Sequence, residues 1–285
     1  MKILVTGAKG QLGNELRLMS GEFTQYHFIF TDVEELDITC REKVECFFTH
    51  EMPDVTINCA AYTSVDNAEK DFDKALLINA TAVGFLAESV GRTGGLLIHI
   101  STDYLFDGHS HRPYIESDVT NPESAYARSK AGGETAVVKS GSRAVILRTS
   151  WLYSGFGNNF VKTILKYSRE RGSLKVVYDQ VGSPTYARDL ARAILGILPS
   201  IKNVKVPEVY HYSNEGVASW YDFAIAITEY AGIDCRILPI ETKDYPLPAK
   251  RPFYSVLNKS KFKERFLTEI PYWRDSLKEC IATLV

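Results

Sequence analysis

What is missing from this sequence removes several classes of function before any motif is read. There is no C-x-x-C pair, and the five cysteines (Cys40, Cys46, Cys59, Cys235 and Cys280) are scattered and odd in number. A zinc ribbon or a disulfide framework is thereby excluded, and reduced thiols in the cytoplasm are expected. No apolar run is long enough to cross a bilayer. Neither sign of charge dominates: 33 Lys and Arg stand against 35 Asp and Glu, and a net charge of -2 gives no general attraction to nucleic acid or to anionic membranes. Of the histidines only His109 and His111 stand together, in a polar loop too poor in further ligands for a metal. The first residues already read as a strand, which leaves no room for a signal peptide.

What is there begins at once. Lys2-Ile3-Leu4-Val5-Thr6 is a short apolar run of the kind found in buried parallel strands, and it leads through Gly7-Ala8-Lys9-Gly10-Gln11-Leu12-Gly13 into a helical pattern. Three glycines spaced three apart between strand and helix suit a dinucleotide pyrophosphate. Gly7 permits the tight turn, Gly10 lets backbone amides approach the phosphates, and Gly13 lets helix and strand pack closely. The helix N-terminus then offers unsatisfied N–H groups to the phosphate charge. Tyr26–Thr31 reads as a second strand closed by Asp32, nineteen residues beyond Gly13, near the spacing at which a carboxylate meets an adenosine ribose.

Further on, strand and helix alternate. A helix is expected over Arg41–His50, a strand over Asp54–Asn58, a long helix over Asp73–Arg92 stopped by Gly94-Gly95, and a strand over Leu96–Ile100. A helix over Ser124–Lys139 and a strand over Ala144–Arg148 complete the pattern. Such alternation implies an α/β fold with a doubly wound parallel sheet. The third strand ends in Cys59-Ala60-Ala61-Tyr62-Thr63, where small residues at a strand's carboxyl end leave room for a ligand. His99, inside the fourth strand, reads as a satisfied core histidine. Beyond Trp151 the pattern loosens into helices at Asn159–Arg171, Arg188–Leu198, Trp220–Ala231 and Tyr272–Leu284, with short strands between. Residues 1–150 are thus expected to form a dinucleotide-binding domain. Residues 151–285 are expected to form mainly a smaller substrate-binding lobe, with one or two segments crossing back.

Tyr126 is the only tyrosine with a lysine, Lys130, four residues later. On a helix the two share a face, and a cationic neighbour together with the positive charge of an oxidised nicotinamide lowers a phenol's pKa toward working pH, which makes a general acid or base. The helix that carries them follows the strand that delivers Ser101-Thr102. Glycine loop, acid after the second strand, Ser-Thr after the fourth and Tyr-x-x-x-Lys on the next helix together resemble the extended short-chain dehydrogenase/reductase family. Finer motifs resemble those of its nucleotide-sugar reductases. They include Asn58–Asp66, Ser101-Thr102-Asp103-Tyr104-Leu105-Phe106-Asp107-Gly108, Arg148–Tyr153, Gly157–Phe160, Asp179–Thr185 and Arg251-Pro252.

That resemblance implies reduction of the C4 ketone of a dTDP-linked sugar with NADPH or NADH. It implies that Gly10, Gln11 and Leu12 cradle the pyrophosphate, that Asp32 meets the ribose, and that Asp37 and Ile38 border the adenine. Ala60, Ala61, Tyr62 and Thr63 would line the way to the nicotinamide. Lys130 would hold the nicotinamide ribose and tune Tyr126, which protonates the C4 oxygen while Thr102 hydrogen-bonds it. Asp103, Trp151 and Arg251 would serve the substrate, Arg251 by gripping its diphosphate. Related 4,6-dehydratases place an Asp-Glu pair after the threonine; here Asp103 is followed by Tyr104, so dehydration is not expected. Two alternatives stay open: a sugar-nucleotide epimerase, which consumes no cofactor, and a binding module like the regulatory subunit of methionine adenosyltransferase. Some relatives bridge subunits through a divalent metal. Glu15 and Asp189 stand where two of its ligands would be, but Cys280–Val285 offers no third acid, so either a monomer or a homodimer is compatible.

Overall fold

Short strands that are apolar on both faces need cover on both sides, and this dictates the architecture. The computed structural model describes residues 1–284, apart from the side chain of Lys202. Five strands, β1 (Lys2–Thr6), β2 (His27–Thr31), β3 (Val55–Asn58), β4 (Leu96–Thr102) and β5 (Ala144–Thr149), join Glu208–His211 in one six-stranded sheet. Read across, the order is Glu208–His211, β5, β4, β3, β1, β2, and every pairing is parallel. The order reverses between β1 and β3, and an open α/β sheet takes its ligands in the crevice at that reversal, outside the carboxyl ends of the strands.

Six helices occupy the first half: α1 (Gln11–Met19), α2 (Arg41–Glu51), α3 (Val65–Ala68), α4 (Phe72–Leu76), α5 (Ala82–Thr93) and α6 (Ala125–Ser140). Alternate residues of each strand serve opposite layers. Ile3 and Val5 pack with Leu12 and Leu16 of α1 and with Leu190 and Ile194 of the helix Ala187–Ile197. Leu4 faces the other way, onto Val44 and Phe48 of α2 and Val83 and Leu86 of α5. A separate core lies in the second half, where helices Phe160–Glu170, Trp220–Tyr230 and Trp273–Ala282 close around Tyr186, Phe223, Ile227 and Leu277. Between these helices the chain returns to the large sheet, since Leu190, Ile194, Tyr210 and Phe262 all belong to the first core.

Three departures from the sequence reading matter. The helix expected over Asp73–Arg92 is interrupted: α4 and α5 are joined through a π-helical turn at Leu77–Thr81. The cause is packing. A Cβ on Gly133 of α6 would stand 2.2 Å from the Asn79 carbonyl oxygen, so the turn bulges directly onto glycine backbone. The short helix Ser260–Phe266 was not anticipated, because with Phe262 as its one buried residue it has no apolar period to read. Strand β4 also runs two residues further than expected, which puts Thr102 at its last position.

Candidate active site

At the crevice the glycine loop is shaped by close approach. Gly7 has φ +65, and a Cβ there would lie 2.5 Å from the amide nitrogen of Ala60, so β1 and the end of β3 meet backbone to backbone. A Cβ on Gly13 would lie 2.5 Å from the Gly7 carbonyl oxygen, whereas one on Gly10 would touch only that same oxygen, at 3.2 Å. The side of Gly10 away from it is open. No side chain caps the N-terminus of α1 and no acid sits in its first turn. The amides of Gln11, Leu12 and Gly13 are therefore available to an anionic group, which the helix dipole favours.

Asp32 follows β2 and folds back on this loop, its Oδ2 accepting from the Lys9 amide at 2.9 Å and its Oδ1 from the Val33 amide at 2.9 Å. The Lys9 ammonium is itself paired with Glu34. Asp37 accepts from the hydroxyl and amide of Thr39, at 2.6 and 3.0 Å, and these bonds hold its carboxyl below the usual range. Ile38 is buried in the core beside α2, so its side chain is already engaged there. Gln11 reaches the second half of the chain: its Oε1 accepts from Asn159 Nδ2 at 2.9 Å.

Strand β4 and helix α6 bring the reactive groups together in a cleft of about 680 Å3, lined among others by Gly10, Ala61, Thr102, Tyr126, Lys130 and Trp151. Ser124 caps α6 by accepting from the Ala127 amide, which places Tyr126 in the first turn and Lys130 one turn on. Thr102 and Asp103 are both buried, with Thr102 Oγ1 donating to Asp103 Oδ1 at 3.2 Å and accepting from the Tyr104 amide. The other carboxyl oxygen of Asp103 has no partner at hydrogen-bond distance among the described residues, and burial pushes this acid up to about 7, against the pull of Ser255 and Thr102. The Tyr104 ring meets Tyr126 edge-on at 6.0 Å.

Without a nicotinamide, Tyr126 differs from the expected acidity. Its phenol is not lowered by Lys130; burial raises it to about 12, Thr102 pulls it down and Asp103 pushes it further up. The Lys130 ammonium donates instead to the Ile100 carbonyl at 2.6 Å, and burial brings its own pKa down to about 8, against the pull of Glu134. Spacing on a helix sets where the Cβ atoms lie, and not where a long side chain ends. His99 is buried as expected but only half satisfied: Asn58 Nδ2 meets its Nδ1 at 3.1 Å, while Nε2 has no partner among the described residues.

Asn79, which sequence reasoning missed, ties this region together. Raised by the π turn, its amide accepts from the Tyr62 amide at 2.8 Å and donates to the Tyr62 carbonyl at 3.0 Å and to Ser129 Oγ at 2.9 Å. One buried side chain thus joins the loop after β3 to the helix of Tyr126 and Lys130. A break in helical period at Leu77–Thr81 leaves no mark in composition, so only its neighbours reveal it.

Elsewhere in the cleft, Trp151 takes φ +46, a conformation that costs a bulky residue on the order of 1–3 kcal/mol. One face of its ring is covered by Trp220, at 3.5 Å between centroids and 5° between planes. Arg251 lines the cleft but is not a free cation, because its guanidinium forms a two-pronged pair with Asp66 at 3.0 and 2.7 Å. Glu15 and Asp189 are turned inward. Glu15 accepts from Ser154 at 2.6 Å and pairs with Arg188 at 3.0 Å, and Asp189 is held by Asn214, Ser276 and Arg192. Among the described residues no group of three or more His, Cys, Asp or Glu is gathered to hold a metal, and no helix is long and apolar enough to cross a membrane. A second cavity, about 460 Å3, lies at the opposite, amino end of the sheet against Met1, Asp54 and Leu96 and has none of this chemistry.

Known proteins resemble this chain in sequence and fold. The family described as RmlD substrate binding domain matches residues 1–285. A dTDP-4-dehydrorhamnose reductase of Burkholderia thailandensis is 41% identical over 298 residues, covering 100% of this chain and 99% of its own. The crystal structure of a dTDP-4-dehydrorhamnose reductase from Clostridium acetobutylicum superposes with a TM-score of 0.94 at 43% identity, over 100% of this chain and 99% of its own. That of the Bacillus anthracis reductase, in complex with NADP, does so with a TM-score of 0.94 at 36% identity, over 99% of both chains. With a family match along its whole length and reductases aligned end to end, the chain belongs to the RmlD family, that of the dTDP-4-dehydrorhamnose reductases.

Proposed function

We propose that the protein reduces the C4 ketone of dTDP-4-dehydro-β-L-rhamnose to give dTDP-β-L-rhamnose, with NADPH or NADH as reductant. The observation that carries this reading is the meeting of Thr102, Tyr126 and Lys130 at the carboxyl end of β4, beside an uncapped helix N-terminus. The residues present fit a dinucleotide: Gly10 leaves one side of the loop open, and the first amides of α1 await an anion. Gly7, Gly10, Gln11, Leu12 and Gly13 form its pyrophosphate seat in this reading, Asp32 its ribose contact and Asp37 with Ile38 its adenine border. Ala60, Ala61, Tyr62 and Thr63 lead to the nicotinamide end, which supplies the hydride when bound.

Tyr126 is then the general acid. Its high pKa keeps the proton on the phenol until negative charge develops on the C4 oxygen, and Thr102 holds that oxygen in line. Lys130, once beside a ribose and the developing phenolate, stabilises the charge that Tyr126 acquires. Asp103 and Trp151 contact the sugar, and Arg251, its direction fixed by Asp66, faces the diphosphate. Tyr104 stands where a dehydratase needs a second carboxylate, which supports simple reduction over elimination of water. Residues 1–150 serve the cofactor and residues 151–285 mainly the sugar nucleotide, with crossing segments bracing the two. The protein works in this reading as a monomer or homodimer in the cytoplasm, with no nucleic acid or membrane partner.

The test uses the keto sugar and cofactor deuterated at the transferring position, with the product read by NMR. Deuterium at C4 of rhamnose, with one cofactor oxidised per sugar, is the expected outcome. A different epimer with no net oxidation points to an epimerase, and binding without turnover points to a regulatory module.

A further inference from the structure

The stacked indoles of Trp151 and Trp220 both line the cleft. They come from different parts of the fold, Trp151 from just beyond β5 and Trp220 from the start of the helix Trp220–Tyr230. Gly182 runs close beside Trp151: a Cβ there would lie 2.6 Å from its Cε2 and 2.8 Å from its Nε1, so only glycine fits there. Trp220 in turn leans on Phe160, at 4.7 Å between centroids.

Trp220 is also fixed through its one polar atom. Its Nε1 donates to Gln180 Oε1 at 3.2 Å, Gln180 Nε2 donates to Thr242 Oγ1 at 3.0 Å, and that hydroxyl donates to Asp179 Oδ1 at 2.7 Å. Every direction in this chain is determined by its ends, because an indole can only donate and an ionised carboxylate can only accept. The amide of Gln180 therefore has one orientation, and Gln180 is itself buried. The result is an apolar surface whose only hydrogen-bonding group on Trp220 is already spent inside the protein. Flat aromatic surfaces of this kind take the C–H face of a sugar ring, and they resist reorganisation when, as here, a second ring backs them.

We propose that Trp220 is a second sugar-binding residue, forming with Trp151 an aromatic wall for the apolar face of the hexose, and that Gln180 is the positioning residue that holds this wall. The proposal rests on the reading that the cleft takes a nucleotide sugar. It assigns to the wall the sugar and not the nucleotide, so dTDP-rhamnose and dTDP should report on it differently.

The experiment compares the full-length protein with Trp220→Phe and Gln180→Met. Two indoles stacked this closely give an exciton couplet in far-ultraviolet circular dichroism, which Trp220→Phe should abolish and Gln180→Met should weaken. Affinity for dTDP-rhamnose, and KM for the keto sugar, should worsen about three- to tenfold in each variant, the size expected for one lost hydrogen bond or one weakened aromatic contact. Affinity for dTDP alone should stay within about twofold. Unchanged affinity for dTDP-rhamnose in both variants overturns the proposal, as does a parallel loss for dTDP, which would mean a general structural effect. Wild-type protein that binds dTDP-rhamnose but does not reduce the keto sugar refutes the reductase reading alone, and the wall then stands or falls on the affinity ratio.

Discussion

Asp103 offers a stability measurement whose size can be worked out beforehand. The residue is 2% exposed, one carboxyl oxygen has no hydrogen-bond partner among the described residues, and burial carries its pKa from 3.8 to about 7. Below the unfolded value near 3.8 the acid is protonated in both states and folding takes up no proton. Between about 4 and 7 the folded chain keeps a proton that the unfolded chain has released, so stability falls as pH rises through this window. A gap of roughly three pH units at about 1.4 kcal/mol each puts the total on the order of 4 kcal/mol, fully lost above about pH 7. Asp103→Asn removes the ionisation and retains an oxygen to accept from Thr102. Urea unfolding of both proteins across this range should show the variant gaining on the wild type with rising pH, with the gain levelling off near neutrality. Other carboxyls cancel in the difference, including Asp66, which Arg251 holds below its ordinary value. A stability difference that does not change with pH, or one that favours the wild type above pH 7, would refute the argument that burial of Asp103 outweighs the hydrogen bonds it accepts.

Replacing Tyr126 with Phe removes only the hydroxyl, so turnover should drop by ~10²–10⁴-fold while thermal unfolding moves little; steady-state kinetics on the folded variant decides this. Asp32→Ala should shift preference toward NADPH, because the carboxylate accepts a ribose hydroxyl and repels a 2′-phosphate, and the ratio of kcat/KM for the two cofactors reads it. A shift toward NADH instead would mean that Asp32 is not at the ribose. Gly133→Ala would set a methyl 2.2 Å from the Asn79 carbonyl, and overpacking of that kind costs about 1–3 kcal/mol. Unfolding midpoints should fall accordingly, and near-wild-type stability would show that α6 and the π turn can separate freely.

What could be read from the chain alone was local. The strand, turn and helix of residues 1–18 are contiguous, and Tyr126 and Lys130 lie within one helix, so period and spacing suffice for both. The doubly wound sheet follows from alternation for the same reason. What escaped was set by contacts distant in sequence. Arg251 could be named as a cation, but its partner Asp66 lies 185 positions away, so the pair is visible only in three dimensions. Trp151 could be placed at a strand end, but nothing near it announces Trp220. The raised pKa of Tyr126 has a related cause: burial lifts it, and the ammonium that the helix brings to the same face is taken by a carbonyl of β4.

A π turn is an α-helix with one residue too many, and that surplus residue has a rotational consequence. At 3.6 residues per turn, one insertion swings everything before it by about 100° relative to everything after. Residues 72–76 therefore face a direction that an uninterrupted helix would have given to their neighbours. Phe72 and Ala75 consequently meet Tyr62, Ala125 and Tyr126, forming the apolar backing behind the proposed acid. Loss of a single residue anywhere in 77–81 would restore a regular helix and turn that backing away, although no side chain of the cleft had been altered. The placement of Tyr126 is in this sense kept by a count, and the chain is far less tolerant of a deletion at these five positions than of most substitutions there.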